Sequence, residues 1–263
     1  MLPHGPSPPK HRVLGVDVSA VRSDSVLELC RRWIADRAAS QGGSIGRSVY
    51  FVAVHSIMTS LRDEELRRSL NTADLAVPDG MPVAWALRSF GVAGQQRVAG
   101  PDVMLALTEQ AARLHHRIFL YGNTEETLAC LRTRLLCQFP TLDIAGSVSP
   151  PFRKLSPEED DADIKKILGV GTEVLFVSLG FPKQERWIAA HRDRLPGVIL
   201  LGVGAAFDFH AGRFPRAPRW MQRAGLEWLF RLSLEPTRLS KRYARDNPRF
   251  LVLWARQWFQ HRK

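Results

Sequence analysis

Residues 174–187 read VLFVSLGFPKQERW, an apolar run followed by a polar one. The first part, Val174–Leu179, has the composition of a buried strand. A glycine and a proline follow, and the polar residues after them are typical of the first turn of a helix. Comparable runs alternate with helical periodicity along the chain. The sequence therefore predicts an α/β fold with an open, mostly parallel, Rossmann-like sheet flanked by helices and a basic helical C-terminal appendage.

The same pattern predicts the positions of the individual elements. The predicted strands are Val13–Val18, Val49–Val54, Leu75–Val77, Arg117–Tyr121, Leu142–Gly146, Val174–Leu179 and Val198–Val203. The predicted helices lie at about 22–38, 57–70, 80–90, 101–115, 124–139, 157–168 and 183–194. Ser156, Pro157 and Glu159 combine an N-cap residue, a proline at the first helical position and a glutamate at N3, which predicts a capping box.

The composition is that of a globular protein. Of 263 residues, 45% are hydrophobic and 24% are charged, which is enough to bury a sizeable core. Residues 1–12 are proline-rich without an apolar stretch, so we expect a flexible leader and not a signal peptide. No apolar run reaches spanning length. Cys30, Cys130 and Cys137 show no disulfide or zinc spacing, which favours a reducing, cytoplasmic setting.

The formal net charge of +11 is concentrated at the C-terminal end. Residues 211–263 hold thirteen Lys or Arg against three acidic residues, a net of +10, whereas the first 210 residues are nearly balanced. Such a basic end predicts a polyanionic partner: nucleic acid, anionic lipid or a phosphate-rich ligand. The composition changes near Gly212, so we expect a core over residues 13–211 and an appendage over residues 212–263.

Residues 226–263 interleave aromatic and aliphatic side chains with these cations. Three interpretations of this segment are open. It can dock its aromatic face on the core as an ordinary helix, or it can lie in a bilayer interface with its rings at the headgroup level. It can also bind single-stranded nucleic acid by stacking.

Two loops after predicted strands carry charged residues. Ligands of open α/β folds bind at the carboxyl ends of the strands, so these loops are candidate sites. Asp79-Gly80 follows one strand, and a carboxylate there can take a proton from a hydroxyl, although Asp-Gly is also a common turn. Arg97 precedes the turn Gly100-Pro-Asp102, which can face a diphosphate or be an ordinary loop.

Two further strand-to-helix turns are candidates. Gly122-Asn123-Thr124 can receive a phosphate or ribose, or Asn123 or Thr124 can simply cap a helix. Residues 178–187 place Lys183, Gln184 and Glu185 in a first helical turn, where we expect them to project toward the crevice.

Several function classes are disfavoured. Gly202-Val-Gly204 lacks the third glycine and the βαβ position of a dinucleotide fingerprint, although Asp208 nearby stays a candidate ligand residue. The acidic pair Asp161-x-Asp163 lies at a helix N-terminus, where the dipole favours acidic residues without any metal. We therefore expect no metal and no cofactor. No Walker loop or Gly-x-Ser-x-Gly elbow occurs in the sequence.

In this order and spacing, the motifs PDGMPVAW, QRVAGPDVM, SLGFPKQERW and GVGAAFDFHAGRFPRAPRWMQRAGLEWLFRLSLEPTRLSKRY resemble the WecG/TagA/CpsF family of bacterial glycosyltransferases, glycosyltransferase family 26. The resemblance covers roughly residues 13–245. It implies transfer of a sugar from a UDP-sugar to an undecaprenyl-diphosphate-linked saccharide in cell-surface polysaccharide biosynthesis, by an inverting single displacement.

The resemblance also implies roles for matching residues. Asp79 takes the position of the proposed general base, and Arg97 that of an arginine thought to hold a diphosphate. The appendage is thought to close over the active site and touch the membrane. Together with the crevice candidates, the expected substrate-binding residues are His55, Ser56, Gly100, Asp102, Gly122, Asn123, Gly180, Pro182, Lys183, Gln184, Glu185, Asp208, Arg216, Arg231 and Arg238.

One position departs from the family pattern. The first crevice loop usually carries an asparagine where this chain has Ala53, while His55 and Ser56 keep the second half of the pattern. N-acetylmannosamine, its uronic acid, glucose and galactose are all open as the donor sugar, and the lost amide weighs weakly against N-acetylmannosamine.

The expected partners follow from this resemblance. They are a UDP-sugar donor, a polyprenyl-diphosphate-linked sugar acceptor, the anionic inner face of the cell membrane and, as an option, a second copy of the chain; nucleic acid is not expected. The alternatives are a catalytically idle membrane-associated scaffold of a polysaccharide assembly complex and a nucleic-acid-binding α/β protein.

Overall fold

The computed structural model describes residues 7–39 and 45–261, and these divide into two compact units. The first unit comprises the described residues of Met1–Arg22, Val52–Val98 and Ala217–Lys263. The second comprises those of Ser23–Phe51 and Ala99–Arg216.

The second unit contains a parallel sheet. Its strands are β3 (Arg47–Val52, whose last residue belongs to the first unit), β5 (Arg117–Gly122), β6 (Asp143–Val148), β7 (Val174–Ser178) and β8 (Ile199–Gly202). They run in the order β3-β8-β7-β5-β6, and each neighbouring pair is parallel. The predicted mostly parallel α/β fold is therefore confirmed. All five residues of β7 are buried, which explains why its sequence is a continuous apolar run.

Helices accompany these strands in the second unit. They are α1 (Ser23–Ala39), α5 (Gly100–Leu114), α6 (Glu125–Gln138), α7 (Pro157–Gly169), α8 (Lys183–His191), a 3-10 turn (Arg192–Arg194) and α9 (Ala206–His210). The predicted capping box is confirmed at α7. Ser156 Oγ accepts from the N–H of Glu159 at 3.2 Å, and the Glu159 carboxylate accepts from the N–H of Ser156 at 2.8 Å.

The first unit begins with a hairpin where the sequence predicts one strand over Val13–Val18. That prediction is wrong: β1 (Lys10–Val13) and β2 (Val16–Ser19) pair antiparallel. The turn residues Leu14 and Gly15 have φ of +48° and +88°. A leucine is rarely found in this region, so the sequence shows only half of the usual two-residue turn signal.

The remaining elements of the first unit are α2 (Val54–Ser60), α3 (Glu64–Asn71), β4 (Leu75–Pro78), α4 (Met81–Ser89), α10 (Arg219–Arg223), α11 (Glu227–Leu234) and α12 (Pro236–His261). The prediction of a single helix over 57–70 is wrong, because two separate helices, α2 and α3, cover this region. Asp63 causes the restart, because its carboxylate accepts from the N–H of Leu66 at 3.0 Å as the N-cap of α3.

The helix α12 packs within the first unit through one face. Leu239 and Phe250 are buried, and Trp254 Nε1 donates to Ser89 Oγ at 3.0 Å. The side chain of Gln257 bonds the β1–β2 turn, accepting from the N–H of Leu14 at 2.9 Å. Within residues 7–39 and 45–261, no helix combines the length and apolar character needed to cross a bilayer.

Candidate active site

In the first unit, Asp79 lies directly after β4. Its N–H donates to the carbonyl of Val52 at 2.9 Å, which ties the end of β4 to the end of β3. The next residue, Gly80, has φ of +109°, a value that favours glycine, and it forms the N-cap of α4. The Asp79 side chain is 26% exposed. This turn thus presents a partly sheltered carboxylate that can accept a proton from a hydroxyl.

Arg97 binds this carboxylate. The N–H of Val98 donates to the carbonyl of Pro78 at 2.9 Å, which places Arg97 beside the end of β4. Arg97 Nε donates to Asp79 Oδ1 at 3.1 Å, and Arg97 Nη1 lies 2.5 Å from Glu227 Oε2. Desolvation alone would lower the pKa of Arg97, but the charges of Asp79 and Glu227 outweigh it and raise that pKa above its ordinary value. The guanidinium is therefore a permanent cation held between two carboxylates.

The loop that departs from the family pattern borders the Asp79 turn in the same unit. Ala53 is the N-cap of α2 and makes no side-chain cap hydrogen bond. Its Cβ lies 4.0 Å from the position that a Cβ on Gly80 would take. Ser56 is buried, and its Oγ accepts from the N–H of Ala53 at 3.3 Å, while His55 is half-buried beside it. Ala53 therefore presents only a methyl group beside the candidate base.

Of the two predicted arginines in α11 and α12, the structure describes the side chain of one. Arg231 lies in α11, one helical turn after Glu227, and is half-buried. Arg238 lies in α12, and its side chain is outside the described residues. Both arginines belong to the unit that contains Asp79.

In the second unit, the Gly122–Asn123 turn brings together two predicted residues. Asn123 has φ of +64°, and its Nδ2 donates to Asp208 Oδ1 at 3.2 Å. Gly122 is required because a Cβ would lie 2.4 Å from the carbonyl oxygen of Ser178. The N-cap of α6 is Thr124, whose Oγ1 accepts from the N–H of Thr127 at 3.2 Å. Asn123 is thereby left to form a polar pair with Asp208.

Gln184 and Glu185 are both buried in the first turn of α8. Gln184 Nε2 donates to Glu185 Oε1 and to the carbonyl of Gly202, both at 3.0 Å. Within the described part of the chain, Gln184 Oε1 and Glu185 Oε2 have no hydrogen-bond partner. Desolvation raises the pKa of Glu185 to about 7. Both oxygens are shielded from solvent, so these two side chains pack inward and do not project into the crevice, contrary to the expectation from the sequence.

Residues near the start of α5 form a second polar cluster. Asp102 accepts two hydrogen bonds from Arg216, one of them from Nη2 at 2.8 Å. His210 Nε2 lies 2.8 Å from the carbonyl of Pro101, and burial lowers the pKa of His210. Gly100 is buried, and a Cβ there would touch the ring of Phe51 at 3.4 Å. Arg216 is thus held by a carboxylate of its own unit.

A cavity of about 530 Å³ opens in the second unit at the ends of β5 and β7. One wall is a stack of three rings, with Tyr121 and Trp187 4.5 Å apart and Trp187 and His191 4.3 Å apart. Asn123 and Lys183 also line it, and the loop of residues 150–157 adds prolines and cations. Gly180 and Pro182 belong to the turn that leads into α8, just before Lys183. This size and lining suit a small organic ligand with an aromatic group and a negative charge.

The acidic residues of α7 are engaged by neighbours. Asp163 accepts from the hydroxyl of Tyr121 at 2.9 Å, and Asp161 binds Arg194. Asp160 lies 2.9 Å from His191 Nε2 and 2.6 Å from Arg194 Nη1. These contacts hold the wall of the cavity.

Sequence reasoning missed two features of these sites. In the sequence Glu227 is one acidic residue in a basic segment, and only the structure shows that it is buried against Arg97. The ring stack of Tyr121, Trp187 and His191 was also missed. The i, i+4 spacing of Trp187 and His191 on one helix could have indicated their half of the stack.

A parallel α/β sheet with a ligand-sized cavity at its strand ends is typical of α/β enzymes that bind small ligands. Within that class, the chain belongs to the WecG/TagA/CpsF family of glycosyl transferases, which it matches over residues 11–263. The resemblance recognised in the sequence motifs is thereby confirmed.

Two relatives carry the name N-acetylglucosaminyldiphosphoundecaprenol N-acetyl-beta-D-mannosaminyltransferase. The Bacillus subtilis protein is 30% identical over 194 residues, which is 74% of this chain and 74% of the relative. The Bacillus spizizenii protein is 34% identical over 169 residues, 64% of each chain, so this match spans slightly less than two thirds of that relative.

The raised pKa of Glu185 predicts a pH dependence of stability. Between about pH 4.5 and pH 7 the unfolded chain has released this proton and the folded chain has not, so the free energy of unfolding falls as pH rises. Glu185→Gln removes this loss. We expect the variant to gain up to about 3 kcal/mol over the wild type across that window. Urea unfolding at half-unit pH steps measures it, and a difference between the two proteins that stays constant with pH would contradict the prediction.

Proposed function

We propose that this protein transfers a sugar from a UDP-sugar to a saccharide linked to polyprenyl diphosphate, as an inverting glycosyltransferase. The observation that carries the proposal is the Asp79 carboxylate at the end of β4, bound by Arg97, in a chain of this glycosyltransferase family. The printed names of the two Bacillus relatives support an undecaprenyl-diphosphate-linked acceptor.

In the proposed reaction, the acceptor hydroxyl oxygen forms a bond to the anomeric carbon of the donor. The bond from that carbon to the diphosphate oxygen breaks on the opposite face, and UDP leaves with the bonding electron pair. The hydroxyl proton passes to Asp79. One carboxylate is sufficient because no covalent glycosyl–enzyme intermediate forms, and a partly sheltered aspartate can perform this step.

The contacts of Arg97 favour a different role from the diphosphate binding expected from the sequence. Its Nε and Nη1 are engaged by Asp79 and Glu227, so its charge is already compensated. We assign Arg97 to orienting the base. The diphosphate then needs another cation, for which Arg231 of the same unit is a candidate.

For the donor, we propose that the cavity of the second unit holds the nucleotide. A pyrimidine ring can stack on the wall formed by Tyr121, Trp187 and His191, since aromatic stacking tolerates any base. Asn123 and Asp208 offer polar groups for ribose hydroxyls.

The identity of the donor sugar is tested by a screen. UDP-N-acetylmannosamine, its uronic acid, UDP-glucose and UDP-galactose are each incubated with a short-chain polyprenyl-diphosphate N-acetylglucosamine, and UDP release is followed. One productive pair establishes the reaction class and the donor together. Membrane binding without UDP release from any pair would favour the idle scaffold instead. Nucleic-acid binding that falls steeply with salt and needs no UDP-sugar would favour a nucleic-acid-binding protein instead.

We predict that activity does not need a metal ion, because the acidic pair singled out in the sequence is engaged by Tyr121 and Arg194 and the proposed charge stabilisation comes from cationic side chains. Turnover with the productive pair should therefore persist in EDTA. Loss of most turnover that returns when Mg²⁺ or Mn²⁺ is added would overturn this prediction.

Asp79→Asn should lower kcat by about 100-fold or more, because the amide cannot accept the proton. The matched control is Asp74→Asn, which removes a carboxylate just before the same strand, and it should keep near-wild-type turnover. Circular dichroism and melting temperature verify that both variants fold. Near-wild-type turnover of Asp79→Asn would show that another group is the base.

We also propose that α12 binds the anionic face of a membrane. Leu251, Val252 and Phe259 are exposed on this helix, and the exposed arginines Arg249 and Arg256 lie among them. Apolar side chains beside cations are the pattern of an interfacial helix.

The double variant Leu251→Ser/Phe259→Ser should bind vesicles containing phosphatidylglycerol several-fold more weakly, because it loses buried apolar area at the interface. Leu136→Ser, which alters an exposed leucine of α6, is the matched control. Vesicle sedimentation at low and high salt measures the effect. Equal sedimentation of the double variant and the wild type would remove α12 as the membrane contact.

A further inference from the structure

Glu227 is a buried carboxylate in a strongly basic segment. Residues 211–263 contain only two other acidic residues, Glu235 and Asp246, against thirteen cations. Glu227 is the first residue of α11, and its side chain is only 9% exposed. A carboxylate is rarely buried unless a partner compensates its charge. Here a partner is Arg97, which lies 130 positions earlier in the sequence and in the same unit.

The Arg97 guanidinium contacts Glu227 and Asp79 through two different nitrogens. Arg97 Nη1 lies 2.5 Å from Glu227 Oε2, while Arg97 Nε donates to Asp79 Oδ1 at 3.1 Å. A guanidinium is a rigid planar group, so fixing one nitrogen also fixes the direction of the others. The ion pair with Glu227 therefore constrains the guanidinium, and with it the Nε–H that donates to the Asp79 carboxylate.

A second observation places the same turn against the base. Gly225 has φ of +75°, and a Cβ there would lie 2.6 Å from Met81 Cγ. Met81 opens α4, two residues after Asp79. The turn between α10 and α11 thus touches the loop of the base directly, and only glycine allows that distance together with that backbone conformation.

We propose that Glu227 is a positioning residue for glycosyl transfer: through Arg97 it holds the Asp79 carboxylate in the orientation that receives the acceptor proton. The C-terminal segment thereby contributes to catalysis without its own contact with the reacting atoms. This inference rests on the proposed role of Asp79 as the base.

Glu227→Gln keeps the shape of the side chain and removes its charge. We expect kcat to fall about tenfold, because a small misplacement of a catalytic group has costs of this order. The KM for the donor should change less than about threefold, since an interaction needed for the chemical step is lost and not one that binds substrate. Glu227→Asp, which restores the charge on a shorter side chain, should recover part of the loss.

Asp246→Asn is the matched control for stability. Asp246 is a buried carboxylate of the same C-terminal segment, and it binds Arg245 instead of Arg97. This variant should lower the melting temperature while leaving kcat near that of the wild type. If Asp246→Asn lowers kcat as much as Glu227→Gln, the loss reflects a loosened segment and the proposal fails.

A double-variant cycle tests whether Glu227 acts through Arg97. In an Arg97→Met background, Glu227→Gln should cause no further fall in kcat, because the group that it orients is absent. Equal falls in both backgrounds would show an independent role and overturn the proposal. A rise in kcat for Glu227→Gln alone would also overturn it, since Glu227 would then be holding Arg97 away from substrate.

The turn offers its own pair of variants. Gly225→Ala introduces a Cβ against Met81 and should reproduce the kcat loss of Glu227→Gln. Gly91→Ala places the same methyl at a residue with φ of +96° and open space around it, so it should not. Equal kcat losses in the two variants would contradict the proposed contact between the turn and the base loop.

Nuclear magnetic resonance gives a readout that does not need turnover. The side-chain Nε–H signal of Arg97, assigned by its absence in Arg97→Met, should shift in Glu227→Gln and stay unchanged in Asp246→Asn. An unchanged signal in Glu227→Gln would overturn the inference. Turnover in Asp79→Asn would instead refute the base assignment, so the two failures are distinguishable: an inactive Asp79→Asn with a fully active Glu227→Gln refutes the positioning role alone.

Discussion

The first unit depends on one half-buried cation between two carboxylates. Arg97 binds Asp79, which follows β4, and Glu227, which opens α11, so three distant parts of the sequence meet at one guanidinium. Removing one carboxylate leaves part of the Arg97 charge without compensation, and because Arg97 is half-buried the cost is smaller than the roughly 3–5 kcal/mol of a fully buried pair. The C-terminal segment is therefore held to the β4 loop by electrostatics as well as by the close contact of Gly225 with Met81.

Much of the fold is predictable from the sequence because the buried strands have a recognisable apolar composition. The residues of β7 are apolar without interruption, and the sheet of the second unit leaves them no exposed side. The failures have local causes. Leu14 adopts a left-handed conformation that a leucine does not signal, so the β1–β2 hairpin looked like one strand. The break before α3 was hidden because the apolar periodicity runs across it, although Asp63 could have been read as an N-cap.

The positions of the candidate site residues are predictable from the sequence, but the orientations of their side chains are not. Sequence reasoning placed Gln184 and Glu185 in the first turn of α8 and expected them to project into the crevice. They are buried instead, because Gly202 and Gly204 have no side chain and leave room for the Gln184 amide. The position in the helix determines where the Cα of a residue lies, whereas the residues that pack against it determine the direction of its side chain. The pairing of Asn123 with Asp208 is equally invisible in the sequence, since 85 positions separate them.

The basic helix α12 shows that two of the interpretations open at the outset are compatible. Leu239, Asp246 and Phe250 are buried at spacings of seven and four residues, which places them along one helical face. Val252 and Phe259 are exposed seven residues apart, and Leu251 is exposed next to Val252, so the three form a second apolar strip among arginines. Packing of α12 on the first unit buries only the first strip. The second strip stays exposed in the described part of the first unit, and this apolar surface beside positive charge supports the proposed membrane contact.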